Sequence, residues 1–86
     1  MQAIEIKQLI EAGLEGVEAS VSGDGSHFEA RVVGQCFEGK PLVQQQKMVY
    51  ATVGKFISNG DIHALTIKSY TPAQWDKAKK LQIGNE

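Results

Sequence analysis

Eighty-six residues, 42% hydrophobic and 22% charged with a net charge of −1, describe a single domain of ordinary globular balance, near the lower size limit for folding without staples. A chain this short builds one thin core, which argues against an enzyme with an enclosed pocket, and its single cysteine, Cys36, has no intramolecular disulfide partner. Charge is uneven: residues 1–38 net −5, with seven acids against Lys7 and Arg31, and residues 39–86 net +4, with seven lysines against three acids, an asymmetry that reads first as two solvated faces.

The first element is helical. Ile6, Leu9, Ile10 and Leu14 fall on one stripe of a 3.6-residue period, and Gly13 and Gly16 bracket the helix end. Val17, Ala19 and Val21 then alternate with Glu18 and Ser20, the pattern of a half-buried strand. The turn formers Ser22-Gly23-Asp24-Gly25-Ser26 lead into a second alternating run. There Phe28, Ala30 and Val32 face one way and His27, Glu29 and Arg31 the other, so the two runs are expected to pair as an antiparallel hairpin.

Phe37-Glu38-Gly39-Lys40-Pro41 is the next break, with Pro41 placed for the first turn of a helix over about 42–57. Val49, Val53, Phe56 and Ile57 form the apolar stripe of that helix. A strand Ile62–Tyr70 follows Ser58-Asn59-Gly60. Thr71-Pro72-Ala73-Gln74 reads as a capping box opening a last helix anchored by Trp75 and Leu81. Residues from about 82 to 86 are expected to fray.

The order is α-β-β-α-β-α. A strand, a long helix and a strand imply a right-handed crossover, so the second and third strands are expected to be parallel. The result is an α+β, KH-like single domain over residues 1–86, a three-stranded mixed sheet with its helices on one face. No apolar run approaches the roughly 20 residues of a membrane span. The start MQAIEIKQLIEAG lacks the layout of a secretory signal, and a cytoplasmic location is expected.

Chemistry has few places to sit. His63 shares strand parity with Leu65 and Ile67, which puts it on the core side at the strand's mouth. It is there either a rim histidine bonded to a carbonyl or a ligand to a metal or cofactor. His27 opens the second strand as His63 opens the third, so parallel pairing brings both to one end of the sheet, although parity assigns them opposite faces. Two imidazoles are an incomplete shell for a metal, and a site completed by another molecule fits better. Cys36 has no CxxC partner, and no catalytic constellation is evident. Lys40 and Lys47, flanking the start of the second helix, are the candidate nucleic-acid contacts, but the GxxG clamp of a KH domain and exposed stacking aromatics are missing.

SHFEARVVGQCFEGKPLVQQQKMVY followed by IHALTIKSYTPAQW resembles the BolA family over about residues 4–77. The GDGSHF and QQQK stretches are similar to its IbaG/YrbA-like bacterial subgroup. The resemblance implies a non-enzymatic protein that forms a heterodimer with a monothiol glutaredoxin and shares a [2Fe-2S] cluster with it, in iron–sulfur or iron homeostasis, stress response or acid resistance. The partner would supply glutathione, and the isolated chain, a monomer or weak homodimer, would carry no cofactor of its own. By the same resemblance His63 matches the family's histidine ligand in the third strand, and His27 is the residue available for the second ligand. The family also implies an alternative, a DNA-binding transcriptional regulator. Gln44-Gln45-Gln46-Lys47 replaces the arginine–histidine pair that many members carry in the stretch proposed to contact DNA, which weakens that alternative.

Overall fold

The hydrophobic periods of the chain resolve into α1 (Ala3–Gly13), β1 (Glu18–Gly23), β2 (His27–Val33), a short 3₁₀ turn (Gln35–Phe37), α2 (Leu42–Ser58), β3 (Ala64–Tyr70) and α3 (Pro72–Gly84). The structure, a computed structural model, describes residues 1–84, with side chains through Leu81. The frayed end expected at about 82–86 lies outside the described side chains, and residues 85–86 lie outside the described residues altogether.

The sheet order is β1-β2-β3, antiparallel between β1 and β2 and parallel between β2 and β3, as the α2 crossover requires. Ala19, Phe28, Ala30, Val32, Leu65 and Ile67 form the buried face, packed against Ile6 and Ile10 of α1 and Val49 and Val53 of α2. Phe37, fully buried, closes the core from the 3₁₀ turn. Removing apolar area of this kind from water is the main stabilising term for so small a domain.

Several boundaries differ from the sequence reading, each for a local reason. β1 continues to Gly23, which pairs with Phe28 and shortens the hairpin connection to residues 24–26. A Cβ at Gly23 would stand 2.5 Å from the His27 carbonyl oxygen, so only glycine permits this closure. Pro41 takes the N-cap position rather than the first turn, with ψ 156°. The α2 stripe is led by Gln45, buried one turn ahead of Val49. The capping box at α3 forms as read, Thr71 N–H donating to Gln74 Oε1 at 2.9 Å and Gln74 N–H to Thr71 Oγ1 at 3.2 Å.

α1 and α2 hold the expected place on one face of the sheet. α3 adds no buried residue to that layer among its described side chains. Trp75 instead tilts onto Tyr70 with ring centroids 5.3 Å apart, and the Arg31 guanidinium lies 4.2 Å from the Trp75 ring centroid. Arg31 and Tyr70 alternate with the core residues of their strands, so Trp75 reaches the opposite face of the sheet. Leu81, expected to anchor α3, is 68% exposed. The polar composition PAQWDKAKK leaves α3 no apolar stripe to bury. No helix among the described residues is long and apolar enough to cross a membrane.

Candidate functional site

β3 begins at Ala64, not Ile62, and this decides where His63 stands. α2 ends at Ser58. Asn59 Oδ1 then accepts the Asp61 N–H at 3.0 Å, a side-chain-closed turn, with Gly60 at φ +87° as only glycine readily allows. Ile62 N–H donates to the Phe56 carbonyl at 3.0 Å, and its side chain is 2% exposed, so Ile62 is the residue that enters the core. Ala64 N–H donates to the Ser26 carbonyl at 3.2 Å, the first rung of the parallel ladder. His63 lies in the bend between these two anchored residues and is exposed. The parity reading that put it on the core side beside Leu65 and Ile67 is therefore corrected. Strand alternation does not extend through a bend, and the loop's own hydrogen bonds turn Ile62 inward in its place.

His27 is exposed at the first position of β2, register partner of Ala64, and is thus one step along the ladder from His63. Its backbone is held from below. Asp24 Oδ1 accepts both the Ser26 N–H and the His27 N–H at 2.9 Å, while Asp24 N–H donates to the His27 carbonyl at 3.3 Å. These amide donors, the His27 N–H first, hold the Asp24 carboxyl below the usual aspartate value. Sequence inspection saw residues 22–26 only as turn formers. The signal that marks Asp24 is the preference of aspartate to accept main-chain N–H groups two and three residues ahead.

Parallel pairing thus brings His27 and His63 to one end of the sheet, both turned to solvent. No described group hydrogen-bonds either imidazole, so the rim histidine bonded to a carbonyl is not what forms. No group of three or more histidine, cysteine, aspartate or glutamate side chains among the described residues is placed to hold a metal ion. The chain itself offers two nitrogen donors from two adjacent loops. Cys36 is partly buried in the 3₁₀ turn that follows β2, at the far end of the sheet from both histidines. The nucleic-acid candidates separate as well: Lys40 lines a cleft between the start of α2 and α3, whereas Lys47 is exposed on α2 and does not line it.

Sequence reasoning also missed Gln45. Its Nε2 donates to the carbonyls of Phe37 (3.1 Å) and Lys40 (2.8 Å), and its Oε1 accepts from Ser69 Oγ at 2.8 Å. One buried amide therefore ties the loop after β2, the helix α2 and the end of β3 together. The feature in the sequence that hints at it is the position of Gln45, four residues before Val49 on the apolar stripe.

Comparison with known proteins matches residues 5–74 to the family described as BolA-like protein. The chain is similar to the acid stress protein IbaG of Escherichia coli, with 42% identity over 81 residues that cover 94% of this chain and 96% of that one. Its structure is similar to that of a BolA homologue from Coxiella burnetii, at 40% identity and a TM-score of 0.79 over 88% of this chain and 97% of the other. It is also similar to the BolA domain of SufE1 from Arabidopsis thaliana, at 30% identity and a TM-score of 0.71 over 83% and 92% of the two chains.

Proposed function

The chain belongs to the BolA-like family, and from that premise we propose that it is a non-enzymatic cytoplasmic partner protein whose His63 and His27 complete a [2Fe-2S] cluster carried by a monothiol glutaredoxin. One observation carries this reading. Two solvent-facing imidazoles without hydrogen-bond partners sit one register step apart at the starts of adjacent parallel strands.

The donor set fits such a group as half of a shell. A [2Fe-2S] cluster takes four ligands, and two imidazoles on one iron with thiolates on the other is a known arrangement. The thiolates would come from the partner's cysteine and its glutathione. When bound, a cluster with imidazole ligands would have a higher reduction potential than an all-thiolate one. The residues of the chain itself present the two nitrogens, Asp24 fixing the loop of His27, and Ile62 with Ala64 fixing the backbone on either side of His63. The bacterial relative is named for acid stress, and we carry that physiological setting to this chain.

The test is to mix the protein with a monothiol glutaredoxin under cluster-forming conditions and record the visible and circular-dichroism spectra of the complex. A heterodimer spectrum distinct from that of the glutaredoxin homodimer, altered or bleached by His63→Ala, is expected. An unchanged spectrum in His63→Ala removes the ligand role. Duplex DNA binding that depends steeply on salt, is lost with Lys40 and Lys47 and ignores His63, would favour the regulator instead.

A further inference from the structure

The end of the sheet opposite the histidines carries a second surface. A cleft of about 530 Å³ opens between the start of α2 and α3, with Lys40 and Leu42 on one lip, Lys77 and Leu81 on the other, and Gln45 and Ser69 at its floor. The floor is rigid, because Gln45 and Ser69 are buried and bonded to each other. The lips are apolar as well as cationic: Leu42 is 57% and Leu81 68% exposed.

Charge and position together mark the two lysines. Lys7, Lys68, Lys79 and Lys80 each lie within 4 Å of a carboxylate, Lys7 of Glu11, Lys68 of Glu29, and Lys79 and Lys80 of Asp76. Lys40, Lys47, Lys55 and Lys77 have no such partner among the described residues, and of these Lys40 and Lys77 line the cleft, which presents uncompensated positive charge beside apolar surface.

The backbone adds a third feature. In a parallel ladder each residue turns both its N–H and its C=O to the same side, and successive residues alternate. Ala64 N–H and Tyr70 C=O bond to the β2 side, which fixes the phase of β3. Leu65, Ile67 and Ser69 therefore turn their main-chain groups outward, and the Leu65 carbonyl confirms it by accepting the Tyr50 hydroxyl at 2.9 Å. The main-chain groups of Ile67 and Ser69 have no partner among the described residues. On the other edge of the sheet one outward group is likewise taken, the Ala19 N–H of β1 by Glu11 Oε2 at 3.0 Å, with Lys7 clamping that carboxylate. An open edge is a template for an added strand, which proteins ordinarily block.

We infer that the outer edge of β3, together with the lysine-lipped cleft into which it leads, docks an extended acidic peptide segment of a partner protein. Strand addition satisfies the outward groups of Ile67 and Ser69, the acidic side chains meet Lys40 and Lys77, and an apolar side chain settles between Leu42 and Leu81. This surface lies at the other end of the strands from His27 and His63, and its occupancy does not require the histidine site.

The experiment titrates the isotope-labelled full chain with three probes: a peptide alternating aspartate and valine, its lysine–valine counterpart, and a single-stranded DNA oligonucleotide. Amide exchange is followed by NMR. Ile67 and Ser69 amides should exchange fast in the free protein and become protected by the acidic peptide alone. Lys40→Gln and Lys77→Gln should each weaken that binding by up to about fivefold, the scale of an exposed ion pair, with the rest of the spectrum unchanged, and His63→Ala should leave it intact. The proposal is overturned if the acidic peptide fails to protect these amides or binds the lysine variants equally well. It is also overturned if DNA is the probe that binds, or if protection in the free protein grows with concentration, which would make a second copy the occupant.

Discussion

Asp24 and His27 close on each other across the hairpin turn: the carboxylate accepts the histidine N–H at 2.9 Å while the aspartate N–H donates to the histidine carbonyl at 3.3 Å. The main chain that carries a candidate ligand is thus held by a carboxylate of the preceding turn. Asp24→Ala should raise amide exchange at Ser26 and His27 and weaken cluster uptake with the glutaredoxin. Asp24→Asn, which keeps the acceptor oxygen, should behave nearly as the parent. Equal loss in both variants would mean that charge rather than the turn matters.

The same carboxylate gives a pH dependence with a definite sign. Its folded pKa is lowered from 3.8, chiefly by the His27 and Ser26 amides, and that of Glu11 is lowered from 4.5, chiefly by its hydrogen bond to Lys7. A lowered folded pKa means that the unfolded chain takes up protons first. The stability from these groups is complete above the unfolded values and is lost as pH falls through the folded ones. Thermal unfolding followed between roughly pH 2 and 5 should show a falling Tm, with a shallower slope in the Asp24→Asn, Glu11→Gln double variant. An identical slope in that variant refutes the assignment.

Gln45 is the polar residue whose loss should cost most. Gln45→Leu leaves the Phe37 and Lys40 carbonyls and the Ser69 hydroxyl without their bonds in a buried place, a loss of about 1–3 kcal/mol on the scale of unsatisfied buried groups. Ser69→Ala, which orphans only one acceptor, should cost less. Urea denaturation of both variants measures the difference, and a neutral Gln45→Leu would show that the loop after β2 does not depend on the clamp.

Trp75 holds α3 by its stack on Tyr70 and Arg31 rather than by core packing. Trp75→Ala should therefore remove about 1–2 kcal/mol of aromatic and cation–π contact and release α3 alone. Hydrogen exchange should show α3 losing protection while α1 and α2 keep theirs. A uniform loss over all three helices would place Trp75 in the cooperative core.

Both histidines are exposed and their rings make no hydrogen bond among the described residues. His27→Ala and His63→Ala should each leave the stability of the isolated protein within about 0.5 kcal/mol of the parent, the range of ordinary surface changes. Any effect on the glutaredoxin complex is then a ligand effect. A marked stability loss in the isolated protein would instead make the imidazole structural.

The sequence by itself determined the element order, the antiparallel hairpin, the parallel pairing of β2 with β3 and the meeting of His27 and His63 at one end of the sheet. These follow from short-range hydrophobic periods and from the handedness of a strand–helix–strand crossover, both readable locally. Only the tertiary structure decided that Ile62 rather than His63 enters the core, because that choice rests on bonds to Asn59, Phe56 and Ser26 made across loops. It likewise decided that Gln45 is buried, that Trp75 crosses to the far face and that the outer edge of β3 stays open. Each of these depends on which donor, acceptor or ring arrives from a distant part of the chain, and a pattern of hydrophobicity along one element carries no record of that arrival.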